Sequence, residues 1–324
     1  MDRSIALIGA GYWGKNHLRT LHDLGVLHTV VDNNDSIISE RQTAFPDTKY
    51  IKDINSIIVS NAVKAVVVAA PAEHHYKLTK RLLLSGKDVL VEKPLALDVK
   101  HGQELVEIAE KENRVLMVGH ILQYHSAVLK LKEILDSGEL GEIRYIYSNR
   151  LNLGRLRVEE NVLWSFAPHD ISLVLMFMGN QNPVRVNAFG GSYITDGIYD
   201  TTLTEIEFEN NVKGHIYVSW LHPFKEQKLV VIGSKKMAVF DDMSPEKLFF
   251  YPYRVDFENG TVPVAKKAEF YTVDIEKKEP LKEELLHFID CVQKRKTPKT
   301  DGKEGLRVLR VIEEAEKSLK CKGL

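Results

Sequence analysis

The feature that most restricts the fold of this chain lies at its start, where the apolar run Ile5-Ala6-Leu7-Ile8 passes directly into glycines at Gly9, Gly11 and Gly14. Glycines at this spacing after an apolar run predict a strand, a tight turn and a helix packed closely on the sheet. The N–H groups and positive dipole end at the start of such a helix favour a phosphate. A second apolar run, Val26 to Val31, ends in Asp32, an acid about 20 residues beyond the glycines. A carboxylate there accepts hydrogen bonds from ribose hydroxyls and repels a 2′-phosphate. The stretch therefore reads as a dinucleotide site over Gly9, Gly11, Tyr12, Trp13 and Gly14, with Asp32 on the ribose and NAD favoured over NADP. Asn33, Asn34 and Asp35 continue the non-basic character, and the first cation in sequence, Arg41, is expected a helix away. A doubly wound fold with an empty, degenerate glycine turn is the alternative.

A chain of 324 residues exceeds one α/β core and suggests two domains. Its hydrophobic fraction of 44% and charged fraction of 27% are ordinary for a globular protein. No apolar run approaches the about 20 residues of a membrane span. The first strand begins almost at once and leaves no room for a secretory signal, so a cytoplasmic location is expected. A formal net charge of −1 with dispersed basic residues removes the electrostatic case for a nucleic-acid partner. The cysteines Cys291 and Cys321 have neither disulfide nor metal spacing, and no metal is expected.

Apolar runs alternate with amphipathic segments through residue 121, as a parallel sheet with helices on both faces requires. The strands expected there include Val63–Ala70, Asp88–Glu92 and Arg114–Gly119, with a helix closed by Gly86 and another capped by Asp98. From Ile143 the pattern changes to strands without intervening helices, among them Ile143–Tyr147, Pro183–Phe189, Thr201–Phe208, Val212–Trp220, Lys228–Ile232 and Met237–Phe240. That pattern predicts a mostly antiparallel sheet, interrupted by one helix near Pro168–Met178. The expected division is a dinucleotide-binding domain over 1–121 and an α/β domain over 122–302, with the closing helix 303–319 packing back on the first.

The strand Asp88–Val91 ends in Glu92-Lys93-Pro94, placing a cation at the carboxyl end of a parallel strand, where such sheets bind ligands. There an ammonium stabilises a developing alkoxide and relays its proton. With Gly9-Ala10-Gly11-Tyr12-Trp13-Gly14, and Ala70-Pro71 followed by His75, this triplet makes the chain resemble the glucose-fructose oxidoreductase and inositol dehydrogenase family, Gfo/Idh/MocA. The resemblance implies a Rossmann domain, then an α/β domain with a large open sheet that forms subunit contacts, hence a homodimer or homotetramer. It implies NAD(P)-dependent chemistry on sugars or cyclitols, with Lys93 in the active site and a cis bond at Lys93–Pro94. The nicotinamide would lie near Ala70, Pro71, His75 and Glu92, with Gln123 against the cofactor or substrate and Tyr124 against the substrate. Packing at the domain junction is the other reading of Gln123 and Tyr124.

The family also places a catalytic histidine in an Asp-x-x-x-His pattern, which matches His169 here with Ser165 in place of the acid. The resemblance thus makes His169 the general base, with Asp170 beside it as a substrate contact or helix cap. Upstream, Asn149 to Arg157 brings together Arg150, Asn152, Arg155 and Arg157, whose guanidinium groups suit a diphosphate or uronate carboxylate. Pairing with Glu159 and Glu160 is the alternative. The run from Asn152 to Arg157, with Trp164 and the Ala167-Pro168-His169-Asp170 stretch, resembles a family branch from surface-glycan pathways. That branch implies oxidation of the 3-hydroxyl of UDP-N-acetylglucosamine or its uronate. A dehydrogenase of a free cyclitol or monosaccharide, and a nicotinamide-binding regulator without chemistry, are competing readings.

Overall fold

The computed structural model describes residues 3–154 and 156–321. The chain forms two compact units, Met1–Ile121 with Glu279–Leu309, and Leu122–Lys278 with Arg310–Leu324.

The first unit follows the alternation in the sequence: β1 (Ile5–Ile8), α1 (Gly14–Asp23), β2 (Leu27–Val31), α2 (Asp35–Ala44), β3 (Lys49–Ile51), α3 (Asn55–Ile58), β4 (Ala65–Val68), α4 (Ala72–Leu84), β5 (Asp88–Glu92), α5 (Val99–Lys111) and β6 (Leu116–Gly119). The strands form one parallel sheet in the order β3-β2-β1-β4-β5-β6, so all carboxyl ends, including Glu92, share one edge. Near-continuous burial of β1, β4 and β5 reflects a sheet covered on both faces. Asp98 caps α5 by accepting from the His101 N–H, as its position predicts. Helix α4 runs from Ala72 to Leu84, with Pro71 at its N-cap and Gly86, at φ +78°, just past its end.

The second unit opens with a 3₁₀ turn over Ile121–Tyr124 and continues through α6 (Ser126–Asp136), β7 (Ile143–Leu151) and α7 (Val162–Met178). It then runs through β8 (Pro183–Gly191), β9 (Thr201–Phe208), β10 (Lys213–Ser219), β11 (Glu226–Gly233), β12 (Met237–Asp241), β13 (Leu248–Tyr251), β14 (Arg254–Glu258), β15 (Val262–Lys266) and β16 (Tyr271–Thr272). An eight-stranded sheet has the order β16-β13-β12-β11-β7-β10-β9-β8. It is mixed: β7 and β10 run parallel, and every other pair is antiparallel. The two-residue period turns Ile146, Ser148 and Arg150 of β7 inward with Ile216 and Val218 of β10, on the face covered by α7.

One expectation changes here. Helix α7 starts at Val162, not Pro168, because the Asn161 side chain caps it by accepting from the Trp164 N–H at 3.3 Å. Pro168 and Asp170 therefore lie inside the helix, and Asp170 caps nothing. The sheet also extends past Phe240 into β13 and β16, with the separate hairpin β14–β15 between them. Pro252 and Pro263 interrupt the apolar runs there, and the hairpin is largely exposed, so it shows no clean alternation of burial.

Two further helices close the chain, α8 (Pro280–Lys294) and α9 (Gly302–Cys321). The small residues Gly302 and Gly305 set the start of α9 against β6: a Cβ on them would stand 2.7 Å from Leu116 Cδ2 and 2.5 Å from Val118 Cγ2. Farther along α9, Ser318 Oγ accepts from the Ala188 N–H of β8 at 3.0 Å, within the second unit.

Candidate active site

The glycine loop joins β1 to α1, and its glycines do different work. Gly9 has φ +87°, which other residues rarely adopt, and a Cβ there would sit 2.7 Å from the Ala69 carbonyl oxygen. A Cβ on Gly14 would stand 2.1 Å from the Gly9 carbonyl oxygen, so only glycine lets α1 start this close to the turn. A Cβ on Gly11 would meet nothing within 4 Å, which leaves that face of the loop open beside the helix N-terminus. This open, N–H-lined cradle fits a pyrophosphate. Tyr12 and Trp13 project from it, both exposed.

Asp32 closes the loop from the end of β2. One carboxylate oxygen accepts from the Ala10 N–H at 2.8 Å and the other from the Asn34 N–H at 2.9 Å. Each oxygen keeps a second acceptor site for a ribose hydroxyl. Arg41, expected a helix away, instead reaches the loop, where its Nε donates to the Ala10 carbonyl at 3.0 Å while its guanidinium also holds Glu40 at 2.6 Å. The long side chain spans a distance that sequence separation does not show.

At the ends of β4 and β5 lie Ala70, Pro71, Glu92 and Lys93, and the Lys93–Pro94 bond is cis. His75 is buried, with Nδ1 2.7 Å from the Pro94 carbonyl oxygen and Nε2 2.8 Å from that of Ala70. Burial pulls its pKa below the usual imidazole value against those two carbonyls, and a neutral ring donates to only one of them. The ring thus braces the two loops against each other. Glu92 turns beneath α1: its Oε1 accepts from Trp13 Nε1 at 2.5 Å and lies 2.7 Å from His17 Nε2, and its Oε2 lies 3.3 Å from the Lys93 N–H. Burial alone would raise this carboxyl, but the hydrogen bonds from His17 and Trp13, and the Lys93 charge, outweigh it and hold the pKa below the usual range. His120, just past β6, is 1% exposed, and burial drives its pKa down to about 4, so the ring is neutral at pH 7.

In the second unit, α7 carries His169 on a half-buried face, with Ser165 buried one turn earlier. The Ser172 hydroxyl donates to the His169 carbonyl at 2.8 Å. Asp170 faces β7: its carboxylate accepts from Arg150 Nε at 2.6 Å, from Arg150 Nη2 at 3.2 Å and from the Ser148 hydroxyl at 2.5 Å. Arg150 is 9% exposed and Asp170 2%, so the two groups read from the sequence as substrate contacts are occupied with one another. Arg157 pairs with Glu160, the alternative weighed for it. Arg155 lies outside the described residues. Gln123 is buried and donates to the Ser172 carbonyl at 3.3 Å, Tyr124 and Trp164 are buried, and the Asn152 N–H bonds the Ser219 carbonyl at 3.0 Å.

His17 and Ser148 take part in these arrangements without having been singled out by sequence. His17 interrupts the apolar face of α1 beside Leu18 and Leu21, whereas Ser148 shares its face of β7 with Arg144, Ile146 and Arg150. A polar residue at a position whose periodicity points inward is the available signal for His17; the mixed face of β7 offers none for Ser148.

Comparison with known proteins agrees with this architecture. Residues 3–120 match the NAD-binding Rossmann fold of an oxidoreductase family, Gfo/Idh/MocA, and residues 128–239 match the C-terminal domain of the same family. A UDP-N-acetylglucosamine 3-dehydrogenase of Acidithiobacillus ferrooxidans is 25% identical over 309 residues, 94% of this chain and 93% of that protein. A solved structure of a UDP-N-acetylglucosamine 3-dehydrogenase from that organism shares the fold with a TM-score of 0.85 at 22% identity, covering 99% of this chain and 98% of its own. A myo-inositol 2-dehydrogenase of Thermotoga maritima is 24% identical over 332 residues, 98% of this chain and 96% of that protein. GenD2 from gentamicin A biosynthesis, solved in complex with NAD, shares the fold with a TM-score of 0.83 at 20% identity over 100% of this chain and 96% of its own. The chain belongs to the Gfo/Idh/MocA oxidoreductase family and is a dehydrogenase acting on CH–OH groups through an NAD-binding Rossmann domain.

Proposed function

We propose that this dehydrogenase oxidises a secondary alcohol of a UDP-N-acetylhexosamine or its uronate at the 3-hydroxyl, using NAD. The observation that carries the substrate class is the likeness to a UDP-N-acetylglucosamine 3-dehydrogenase across 94% of the chain. The cradle at Gly11 and the carboxylate of Asp32 would hold pyrophosphate and ribose; bound NAD supplies the hydride acceptor. Asp32 favours NAD, while Arg41 beside Ala10 places a cation near the same end of the site and gives NADP its strongest argument. In this reading His169 takes the proton of the hydroxyl and Lys93 stabilises the alkoxide, as the C–H electrons leave as hydride. Each assignment is worth about 10²–10⁴-fold in rate.

The myo-inositol 2-dehydrogenase likeness supports a second reading, a free cyclitol as substrate. The pairing of Arg150 with Asp170 and of Arg157 with Glu160 favours it, since it draws two candidate diphosphate ligands onto protein acids. Self-association through the eight-stranded sheet and a cytoplasmic location complete the proposal, the first checked by sedimentation of the purified chain. The deciding experiment is turnover with NAD or NADP and UDP-N-acetylglucosamine, its uronate, myo-inositol or glucose, with the ketone trapped for mass spectrometry. The expected result is a 3-keto product from the UDP sugars alone, lost in Lys93→Ala and His169→Ala; turnover of only inositol or glucose overturns the nucleotide-sugar reading.

A further inference from the structure

Glu284 is the one acid of the first unit's interior, among the described residues, to which the proposed reaction gives no part and the structure gives no hydrogen bond. It sits on α8 within the apolar stripe Leu281, Leu285 and Phe288, is 0% exposed, and neither carboxyl oxygen meets a hydrogen-bond donor among the described residues. Glu92 lies close enough to act on it electrostatically. Two carboxylates that act on one another do not both ionise readily, and the proton goes to the more deeply buried one that lacks donors. Glu92 has Trp13 Nε1 at 2.5 Å, His17 Nε2 at 2.7 Å and the Lys93 N–H at 3.3 Å.

We infer that Glu284 is a proton-bearing, neutral acid at neutral pH, and that its neutrality leaves Glu92 as the ionised acceptor that fastens the glycine loop through Trp13. Glu284 is then a positioning residue for cofactor binding, and it makes the loop sensitive to alkaline pH. Its functional consequence rests on the proposed cofactor site; the proton on Glu284 does not.

The surroundings point the same way. From β5 comes the charge of the Glu92 carboxylate; from α1, which packs on α8, come His17, turned to Glu92, and Arg19, bonded to Glu279. His120 beyond β6 is buried and neutral. His287 shares α8 and accepts the Lys299 N–H at 3.0 Å. The Lys299 ammonium favours the charged form of Glu284, but burial and the Glu92 charge act against it, and the pKa stands well above the usual carboxylate range. Ionising Glu284 would add a second negative charge acting on Glu92, and their repulsion would displace the Glu92 carboxylate from Trp13.

Glutamine mimics the neutral acid, so Glu284→Gln separates charge from shape. A carboxyl that keeps its proton when folded binds more protons folded than unfolded; wild-type stability therefore falls, relative to the glutamine variant, as pH rises above the unfolded value near 4.3. The expected result is matching melting temperatures near that pH and a growing advantage for Glu284→Gln toward pH 8. Infrared spectra of the wild-type apoprotein at pH 7 should show a protonated-carboxyl carbonyl band, shifted in D₂O and missing in the variant. If the variant does not fold, the band in wild-type protein carrying ¹³C-labelled glutamate decides alone. NAD affinity of the wild type should drop about tenfold between pH 7 and the pH at which this band disappears, the size of one hydrogen bond to a charged acceptor, and that of Glu284→Gln should not. A missing band, or a melting difference independent of pH, overturns the protonation. A band with identical NAD pH profiles overturns the coupling to the loop. Because band and melting slope are read without cofactor, failure of the dehydrogenase reading leaves them intact and is distinguishable.

Discussion

The two regions that carry the candidate catalytic residues are built from different materials. Around the glycine loop, main chain does most of the work: Gly14 faces the Gly9 carbonyl, Gly9 faces the Ala69 carbonyl, and Asp32 is tied to the Ala10 and Asn34 N–H groups. Around His169 the work falls to side chains, with Ser148 and Arg150 of β7 reaching Asp170 across the packing of sheet on helix. A backbone-built site is shaped by local conformation and breaks when a Cβ is added. A side-chain-built site depends on a buried charge balance and breaks when one partner is removed.

Removing Asp170 should therefore have the largest effect on stability. Asp170→Ala leaves the Arg150 guanidinium buried without its acid, expected to cost about 3–5 kcal/mol, read from urea denaturation. Adding Arg150→Met should restore much of that loss, because an apolar replacement needs no counter-charge. If the single change costs as little as a surface pair, the second region is not held by charge balance and the contrast fails. In the first region, Gly14→Ala forces a Cβ into a space 2.1 Å from the Gly9 carbonyl oxygen, with an expected cost of about 1–3 kcal/mol and loss of NAD binding. Gly11→Ala meets nothing within 4 Å, so it should fold with unchanged stability and lose affinity for the cofactor alone, measured by titration. Equal destabilisation by the two glycine changes would break the division of labour within the loop.

The same difference explains what the sequence made legible. The parallel sheet, the glycine turn, Asp32 and the position of Lys93 at the end of β5 follow from local pattern, because burial on both faces writes continuous apolar runs and turns demand particular residues. The family motif pointed to the bond between Lys93 and Pro94 as cis, and it is. Long-range pairing was not legible: Arg150 and Asp170 each looked like ligand contacts because nothing local shows that β7 and α7 bring them to 2.6 Å. The start of α7 was misplaced for a related reason. Pro168 is a familiar helix opener, but the Asn161 side chain supplies the cap and the helix tolerates the proline inside it. Arg41 shows the limit from the other side, since a flexible side chain from mid-α2 closes on a loop that its sequence position places far away.

That cap gives a smaller prediction. Asn161→Ala removes the acceptor for the Trp164 N–H and should cost about 1 kcal/mol, while Asn161→Asp should keep the cap and most of the stability, both read from melting curves. A loss well above that size would mean Asn161 supports the second region by more than its cap.

The smallest effect on stability is expected at Arg157, and it sharpens the comparison most for function. Its guanidinium holds Glu160 on an exposed stretch, with side-chain exposures of 43% and 18%. Such pairs are worth about 0–1 kcal/mol, so Arg157→Gln should melt with the wild type. A weak pair is also easily exchanged for a ligand phosphate, and this lets the mate of Arg157 report on the substrate. Glu160→Gln frees the guanidinium without removing it, so the KM for a UDP sugar should fall while the KM for myo-inositol stays fixed. Arg157→Gln should move the UDP-sugar KM in the opposite direction. If neither change touches the UDP-sugar KM, Arg157 joins Arg150 as a residue occupied by the protein's own acids, and the diphosphate must be held elsewhere.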